Sequence, residues 1–239
     1  MRSLILLCLY VLVHGSMHAI TTDELLRNHI NALGGMKALH SLTNLKVTGK
    51  IVTQGMEAPF TQYFKNGTSM RMEMEMMGSS MIQAVSPKGA WAITPWEGTK
   101  ATKLQPEQED ALKKQAHFKS ELISASERKA KITVGDAVDV DGATAYAVTI
   151  VEGDSADVRT MYIDAITWLP IKTESTLEMM GEKAKMVMQF GDYQSVAGVQ
   201  LPRKIEVFMN GQSQVTITWD KADTTAVIDD SLFDMPTGG

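Results

Sequence analysis

The sequence is poor in the residue types on which most metal sites and many catalytic sites depend. Its single cysteine is Cys8, so the chain beyond it has no disulfide, no thiolate metal site and no cysteine nucleophile. Only three histidines, His29, His40 and His117, lie beyond residue 19. They lack the pair spacing and the carboxylate neighbours of a zinc or iron site, so we expect no metal and no cofactor.

The motifs of common enzyme classes are missing as well. The chain contains no Gly-x-Ser-x-Gly turn, no phosphate-binding glycine loop and no dinucleotide fingerprint. The neighbouring carboxylates Glu73 and Glu75 fit solvated positions on the polar face of a strand better than an acid–base pair. Arg71 and Arg159 are expected in surface ion pairs. We therefore predict a protein that is not an enzyme.

Charge and hydropathy argue against nucleic-acid binding and against a permanent membrane anchor. The 23 lysines and arginines are interspersed among 28 acidic residues, and the net charge is -5. No basic stripe is present, so nucleic acid is not an expected partner. Beyond residue 19 no apolar run is long enough to cross a bilayer, so no permanent membrane anchor is expected.

The first 19 residues have the layout of a secretory signal peptide. Arg2 precedes an apolar run from Leu4 to Val13, and a short polar stretch ends at Ala19. We expect cleavage after Ala19, with Gly15 as an alternative. Because no lipidation motif surrounds the cysteine, residues 20–239 are expected to form one unlipidated, monomeric domain in the periplasm.

Helical periodicity is confined to a few segments of the remaining chain. Residues 22–33 form an amphipathic pattern that Thr21 or Thr22 can cap, and a shorter helical piece covers residues 36–42. Residues 106–118 open with a proline and place acidic before basic residues, as a helix dipole favours. The sequence thus predicts two or three helices.

From Leu45 onward the apolar residues mostly alternate, and turn signals separate the alternating segments. Asn66-Gly67, Asp141-Gly142 and Asn210-Gly211 suit the tight turns that join antiparallel neighbours. Such spacing leaves no room for parallel crossovers. We predict a mainly β fold of about eleven strands, in which one strongly curved antiparallel sheet forms an incomplete, half-open barrel wrapped around the helices.

Methionine is abundant, with 17 residues in 239. Met70, Met72, Met74 and Met76 alternate with charged residues, which predicts a strand with one charged face and one face of flexible thioethers. Two interpretations remain open, an ordinary core and an adaptable lining for an apolar ligand. The residues predicted to line an apolar cavity are Met70, Met72, Met74, Met76, Trp91, Met161, Met186, Met188, Phe190 and Met209.

Three stretches resemble a family of bacterial envelope proteins related to the outer-membrane lipoprotein carrier, the LolA-like proteins. They are His29–Leu39 (His-Ile-Asn-Ala-Leu-Gly-Gly-Met-Lys-Ala-Leu), Tyr162–Glu174 with Asp192–Pro202, and Ile228–Pro236. The resemblance implies an incomplete antiparallel barrel closed by helices, with an apolar cavity that takes acyl chains. The family includes soluble lipoprotein chaperones, lipid-anchored receptors and envelope-stress regulators.

Two functions follow as hypotheses. In the first, the protein is a soluble envelope carrier or sensor that binds the acyl chains of a lipid or an acylated lipoprotein. In the second, it is a non-enzymatic protein-interaction or stress-regulatory module whose hollow is filled by its own side chains and whose partner is another envelope protein.

Overall fold

The computed structural model describes residues 20–76, 78–96, 98–153, 158–179 and 182–236. The predicted signal peptide, residues 1–19, lies outside these ranges. The helices within them are α1 (Thr22–Ala32), α2 (Gly35–Ser41), α3 (Pro106–Gln115), α4 (Glu121–Glu127) and a 3-10 turn (Asp230–Phe233). The strands are β1 (Asn44–Thr53), β2 (Met56–Lys65), β3 (Ser69–Met76), β4 (Ser79–Ser86), β5 (Gly89–Ile93), β6 (Thr102–Lys103), β7 (Lys131–Val140), β8 (Ala143–Val151), β9 (Val158–Asp164), β10 (Pro170–Met179), β11 (Glu182–Val196), β12 (Val199–Met209) and β13 (Gln212–Asp223).

The strands form one open antiparallel sheet, which confirms the predicted fold class. Its order is β6-β5-β4-β3-β2-β1-β13-β12-β11-β10-β9-β8-β7, so it consists of two meanders that are joined where β1 pairs with β13. The described residues hold 13 strands and four α-helices, more than the sequence predicted. One extra strand, β6, has two residues and is too short to show alternation. The extra helix, α4, has its own N-terminal cap. Ser120 Oγ accepts a hydrogen bond from Ile123 N (3.4 Å) and so starts a separate helix after α3.

Two of the three predicted tight turns have two central residues. Asp141-Gly142 joins β7 to β8 and Asn210-Gly211 joins β12 to β13, with positive φ at both positions of each turn. Gln54-Gly55 and Ala197-Gly198 form turns of the same kind. The turn at Asn66 is different, since three residues separate β2 from β3 there. The Asn66 side chain instead donates to Leu39 O (2.7 Å) and accepts from Phe118 N (3.2 Å), which ties the turn to α2 and to the segment after α3.

The four α-helices pack on one face of the sheet, which we call the inner face. A first cluster joins α2 and α3 to strands β1 to β5, β12 and β13, and includes Leu39, Leu112 and Phe60. A second cluster joins α1 and α4 to β8 and β9 through Leu25 and Leu122. Leu26 of α1 packs against both clusters, so this helix links the two halves of the inner face.

The opposite face, which we call the outer face, is covered in part by the segment that follows β13. Phe233 is 1% exposed, and its carbonyl oxygen accepts a hydrogen bond from Trp91 Nε1 (2.9 Å). Arg71 Nη1 donates to Leu232 O (3.0 Å), and Lys88 pairs with Asp234 (2.7 Å). These contacts hold the segment across β3, β4 and β5.

Candidate functional site

The alternating methionines of β3 lie on the inner face. Met70 and Met74 are 1% and 6% exposed and belong to the first cluster, and Met72 is half-buried against it. Met76 ends the strand, and its side chain is outside the described part of the structure. Met161 on β9 is 4% exposed and belongs to the second cluster. The buried members of this set are therefore packed beneath the protein's own helices.

Trp91 lies on the outer face, apart from the other predicted site residues. Its neighbours along β5, Ala90 and Ala92, pair with Val85 and Gln83, which are on the inner face with Met70 and Met72. The indole is 2% exposed, and the guanidinium of Arg71 lies 5.3 Å from the centre of its ring. Trp91 thus holds the segment after β13 in place and does not lie on the inner face.

Four of the predicted site residues come together on the inner face of β11 and β12. Met186 pairs with Met209, Met188 with Val207, and Phe190 with Ile205, so six apolar side chains form three successive cross-strand pairs. All six are half-buried, and none of them belongs to either helix-packed cluster or packs against one. We call these six residues the apolar strip: Met186, Met188, Phe190, Ile205, Val207 and Met209.

The strip lies between the two clusters. On one side, Val215 and Ile217 of β13 pair with Val207 and Ile205 and pack against the first cluster. On the other side, Thr173 of β10 pairs with Met188 and with Met161 of the second cluster. The inner face is therefore filled by helices at both flanks and carries partly exposed apolar side chains in the middle.

One end of the strip is closed by α1 and α2. Gln200 N donates to Leu33 O (3.0 Å), which fixes the turn between the helices against the hairpin of β11 and β12. Gly34 has φ +109°, and a β-carbon on it would lie 1.9 Å from Gly198 O. Only glycine permits this approach of two backbones.

The opposite end of the strip, at Met186 and Met209, lies beside the turn between β12 and β13. At this end of the sheet several apolar side chains are exposed, including Met56 at 37%, Leu177 at 36% and Trp96 at 71%. Because β12 ends at Met209, the strip extends to the end of this strand. A long apolar molecule can therefore reach the strip from this end.

His29 is the one fully buried histidine among the described residues, and the sequence did not predict its role. Its Nδ1 donates to Trp168 O (2.8 Å), and in the neutral ring Nε2 accepts from Ser120 Oγ (2.6 Å). Burial lowers the pKa of His29, although the hydrogen bond to Trp168 opposes this effect. The neutral ring thus connects α1 to Ser120, the N-cap of α4, and to Trp168 in the turn between β9 and β10.

Arg71, Glu73 and Arg159, three of the charged residues considered in the sequence, are in ion pairs. Arg71 Nε contacts Glu73 (2.7 Å) on the outer face, and Arg159 contacts Glu121 (3.1 Å) at the start of α4. His40 and His117 are exposed. Over the described residues, no group of three or more histidine and carboxylate side chains is arranged to hold a metal ion. None of the described helices has the length and hydropathy to span a membrane.

Two open clefts, each of about 400 Å³, lie elsewhere on the molecule. The first is between β5, α3 and the segment after β13, and the second is between α3 and α4. Each is lined by side chains of both charges, such as Lys88 with Asp234 in the first and Lys119 with Glu127 in the second. Neither includes a residue of the apolar strip.

Ile205 and Val207 complete the strip but were not among the predicted site residues. The alternation Ile205-Glu-Val207-Phe-Met209 carried the signal, because every second residue is apolar. Phe208 obscured it, since this residue lies on the outer face opposite Val187 and makes the segment read as a continuous apolar run.

Comparison with solved structures shows that the fold is similar to that of a LolA superfamily protein and of two other bacterial proteins. The chain superposes on a LolA superfamily protein from Nitrosomonas europaea with a TM-score of 0.56 at 10% identity, covering 90% of this chain and 98% of the other. An outer membrane lipoprotein-sorting domain from Vibrio parahaemolyticus gives a TM-score of 0.60 at 9% identity, with 90% and 97% covered. A DUF1329 family protein from Desulfovibrio piger gives 0.58 at 11% identity, with 88% and 97% covered. No protein-family model and no curated protein sequence matches the chain.

Proposed function

We propose that the protein is a non-enzymatic carrier or sensor of the bacterial periplasm that binds an acyl chain of a lipid or of an acylated lipoprotein on its apolar strip. The observation that supports this most directly is the position of the six strip residues. They are apolar, partly exposed and aligned in register, and the described helices leave them outside both packed clusters. Other apolar side chains of the inner face, such as Met70, Met74 and Met161, are buried within these clusters.

The energy available from such a surface is sufficient for reversible binding. Burial of about ten methylene groups contributes roughly 8 kcal/mol, at about 0.8 kcal/mol for each group. This corresponds to a dissociation constant in the micromolar range before ordering costs. Methionine side chains adapt to chains of different length and unsaturation, because they have several rotatable bonds and no branch.

The fold supports the same proposal at a general level. One of the superposed structures is an outer membrane lipoprotein-sorting domain, and its fold is similar to that of this chain over 90% of the chain. At these levels of identity the comparison concerns the fold alone. The choice of an acyl ligand therefore rests on the strip and its open end.

The test compares two identical substitutions on opposite faces of the same pair of strands. Val207 faces the strip, whereas Val187 is on the outer face, and both are half-buried. Val207→Asn should weaken binding of a fluorescent fatty acid roughly tenfold, equivalent to about 1.4 kcal/mol, and Val187→Asn should leave it unchanged. Equal effects of the two substitutions, or no binding by the parent protein, would refute the proposal.

A second candidate function is a protein-interaction module with a self-filled core, and one observation favours it. Met70 and Met74 are packed beneath the protein's own helices, as this hypothesis requires. Native mass spectrometry of gently purified protein separates the two functions. Copurified lipid supports the carrier or sensor, and protein that emerges free of lipid and does not bind the fatty acid supports the interaction module.

A further inference from the structure

Two groups of three methionines on the inner face differ in their access to small oxidants. Met70, Met74 and Met161 are at most 6% exposed. The strip methionines Met186, Met188 and Met209 are half-buried and lie outside both clusters that the described helices form with the sheet. Because residues 20–239 contain no cysteine, the thioether is the only sulfur group in this part of the chain. Oxidation of sulfur side chains follows their exposure.

The three strip thioethers lie close together. Met186 and Met209 are direct cross-strand partners, and Met188 follows Met186 on the same face. The β-carbons of such partners are about 5 Å apart, so one apolar ligand can contact all three side chains. Half of the strip residues are thus methionines, and the apolar character of the strip depends on their oxidation state.

We propose that Met186, Met188 and Met209 form an oxidation site, and that hydrogen peroxide and an acyl chain compete for it. A sulfur lone pair attacks one peroxide oxygen, the O–O bond breaks, and that oxygen is transferred to sulfur while the other leaves as water. The thioether loses two electrons and becomes a sulfoxide, and the peroxide is reduced. The competition rests on the proposed function, whereas the order of oxidation does not.

Oxidation changes the strip from apolar to polar. Each sulfoxide places an S=O dipole where an acyl chain would contact a thioether, and the chain cannot hydrogen-bond to it. Oxidised protein therefore releases its acyl chain, and a bound acyl chain shields the sulfur atoms. Enzymatic reduction of methionine sulfoxide restores the original surface.

The first experiment measures the order of oxidation without any ligand. The full protein is treated with hydrogen peroxide, and peptides are followed by mass spectrometry, in which each sulfoxide adds about 16 Da. We expect Met186, Met188 and Met209 to be oxidised severalfold faster than Met70, Met74 and Met161. Equal rates in the two groups would overturn the proposed site.

The second experiment measures the competition and contains an internal reference. Met235 is half-buried in the segment that follows β13, on the other side of the sheet from the strip, so an acyl ligand bound to the strip leaves its accessibility unchanged. A saturating fatty acid should slow oxidation of the strip methionines severalfold and leave the rate at Met235 unchanged. Equal protection at Met235, or none at the strip, would overturn the competition.

A matched variant then assigns the loss of binding to these side chains. In M186L/M188L/M209L the strip keeps its apolar character and cannot form sulfoxides. Peroxide should abolish most fatty-acid binding by the parent and leave binding by the variant intact, and equal losses would contradict the assignment. If the untreated parent binds no fatty acid, the proposed function and the competition both fail, whereas the ligand-free oxidation order still decides whether the strip is the oxidation site.

Discussion

Replacement of single methionines by glutamine distinguishes the two environments that methionine occupies on the inner face. Met74 is 6% exposed and pairs with Phe60 and Met81, so no polar side chain lies directly opposite it. Glutamine at this position loses the burial of an apolar side chain, about 1.5 to 3 kcal/mol, and buries an unpaired amide at a cost of about 1 to 3 kcal/mol. We expect Met74→Gln to lower the free energy of unfolding by roughly 3 to 5 kcal/mol. Met188→Gln should lower the free energy of unfolding by about 1 kcal/mol or less, because a half-buried amide keeps access to water.

Urea denaturation followed by circular dichroism measures this difference. A loss of about 3 kcal/mol lowers the denaturation midpoint by roughly 1 to 2 M at the slopes usual for globular domains, whereas Met188→Gln should shift it by no more than about half a molar. The slopes of the two variants should equal that of the parent, since neither substitution changes the surface exposed on unfolding. Equal midpoints for Met74→Gln and Met188→Gln would refute the distinction between packed core and open strip.

Three further predictions concern the elements that frame the strip. Gly34→Ala should lower the free energy of unfolding by at least about 2 kcal/mol, because the new β-carbon would collide with Gly198 O. A melting temperature equal to that of the parent would contradict this contact. Gly211→Val should cost about 1 to 3 kcal/mol through strain at φ +80°, and urea midpoints unchanged within error would argue against the two-residue turn. The pKa of His29 is lower in the folded protein than in the unfolded chain, where it is about 6.5. Burial of the neutral ring therefore contributes fully to the free energy of unfolding above about pH 6.5. This contribution is lost as the pH falls from there through the folded-state pKa, because the unfolded chain takes up the proton more readily. Unfolding free energies measured between pH 7.5 and about pH 5 should show this decline in the parent and a weaker one in His29→Gln, and identical pH profiles would exclude the histidine as the cause.

The fold could be predicted from local signals where these were strong. The Asp-Gly turn at residues 141–142 and the Asn-Gly turn at residues 210–211 indicated antiparallel hairpins, and alternation of apolar residues located β3 correctly. A turn at Asn66 was predicted correctly, but its three-residue form could not be, because the Asn66 side chain hydrogen-bonds to residues 27 and 52 positions away. The pairing of β1 with β13 leaves no local signal either, since it joins segments at a separation of about 170 residues.

The candidate site could be predicted only in part, because periodicity assigns a residue to a face and does not show what covers that face. Met70 and Met186 have the same pattern of apolar neighbours at every second position, yet helices bury the first and leave the second half-exposed. Trp91 was assigned to the inner face although its parity on β5 places it outside, because the small residues Ala90 and Ala92 are the inner ones. The first difference arises from the packing of helices on the inner face, and the second from the segment after β13, which buries Trp91 on the outer face.

The pairing of β1 with β13 also has a consequence for how the molecule folds. Each meander, β1 to β6 and β7 to β13, is built from contacts between neighbours in sequence, so each can begin to fold by local zipping of its hairpins. Joining them closes a loop of most of the chain, an entropic cost that no hairpin pays. Until that step, β13 is an unpaired edge beside the strands that carry the apolar strip, and such an edge can pair with another chain. The interval before β1 docks on β13 is therefore when the newly made protein is most vulnerable to aggregation, and a chaperone that occupies this edge would protect it.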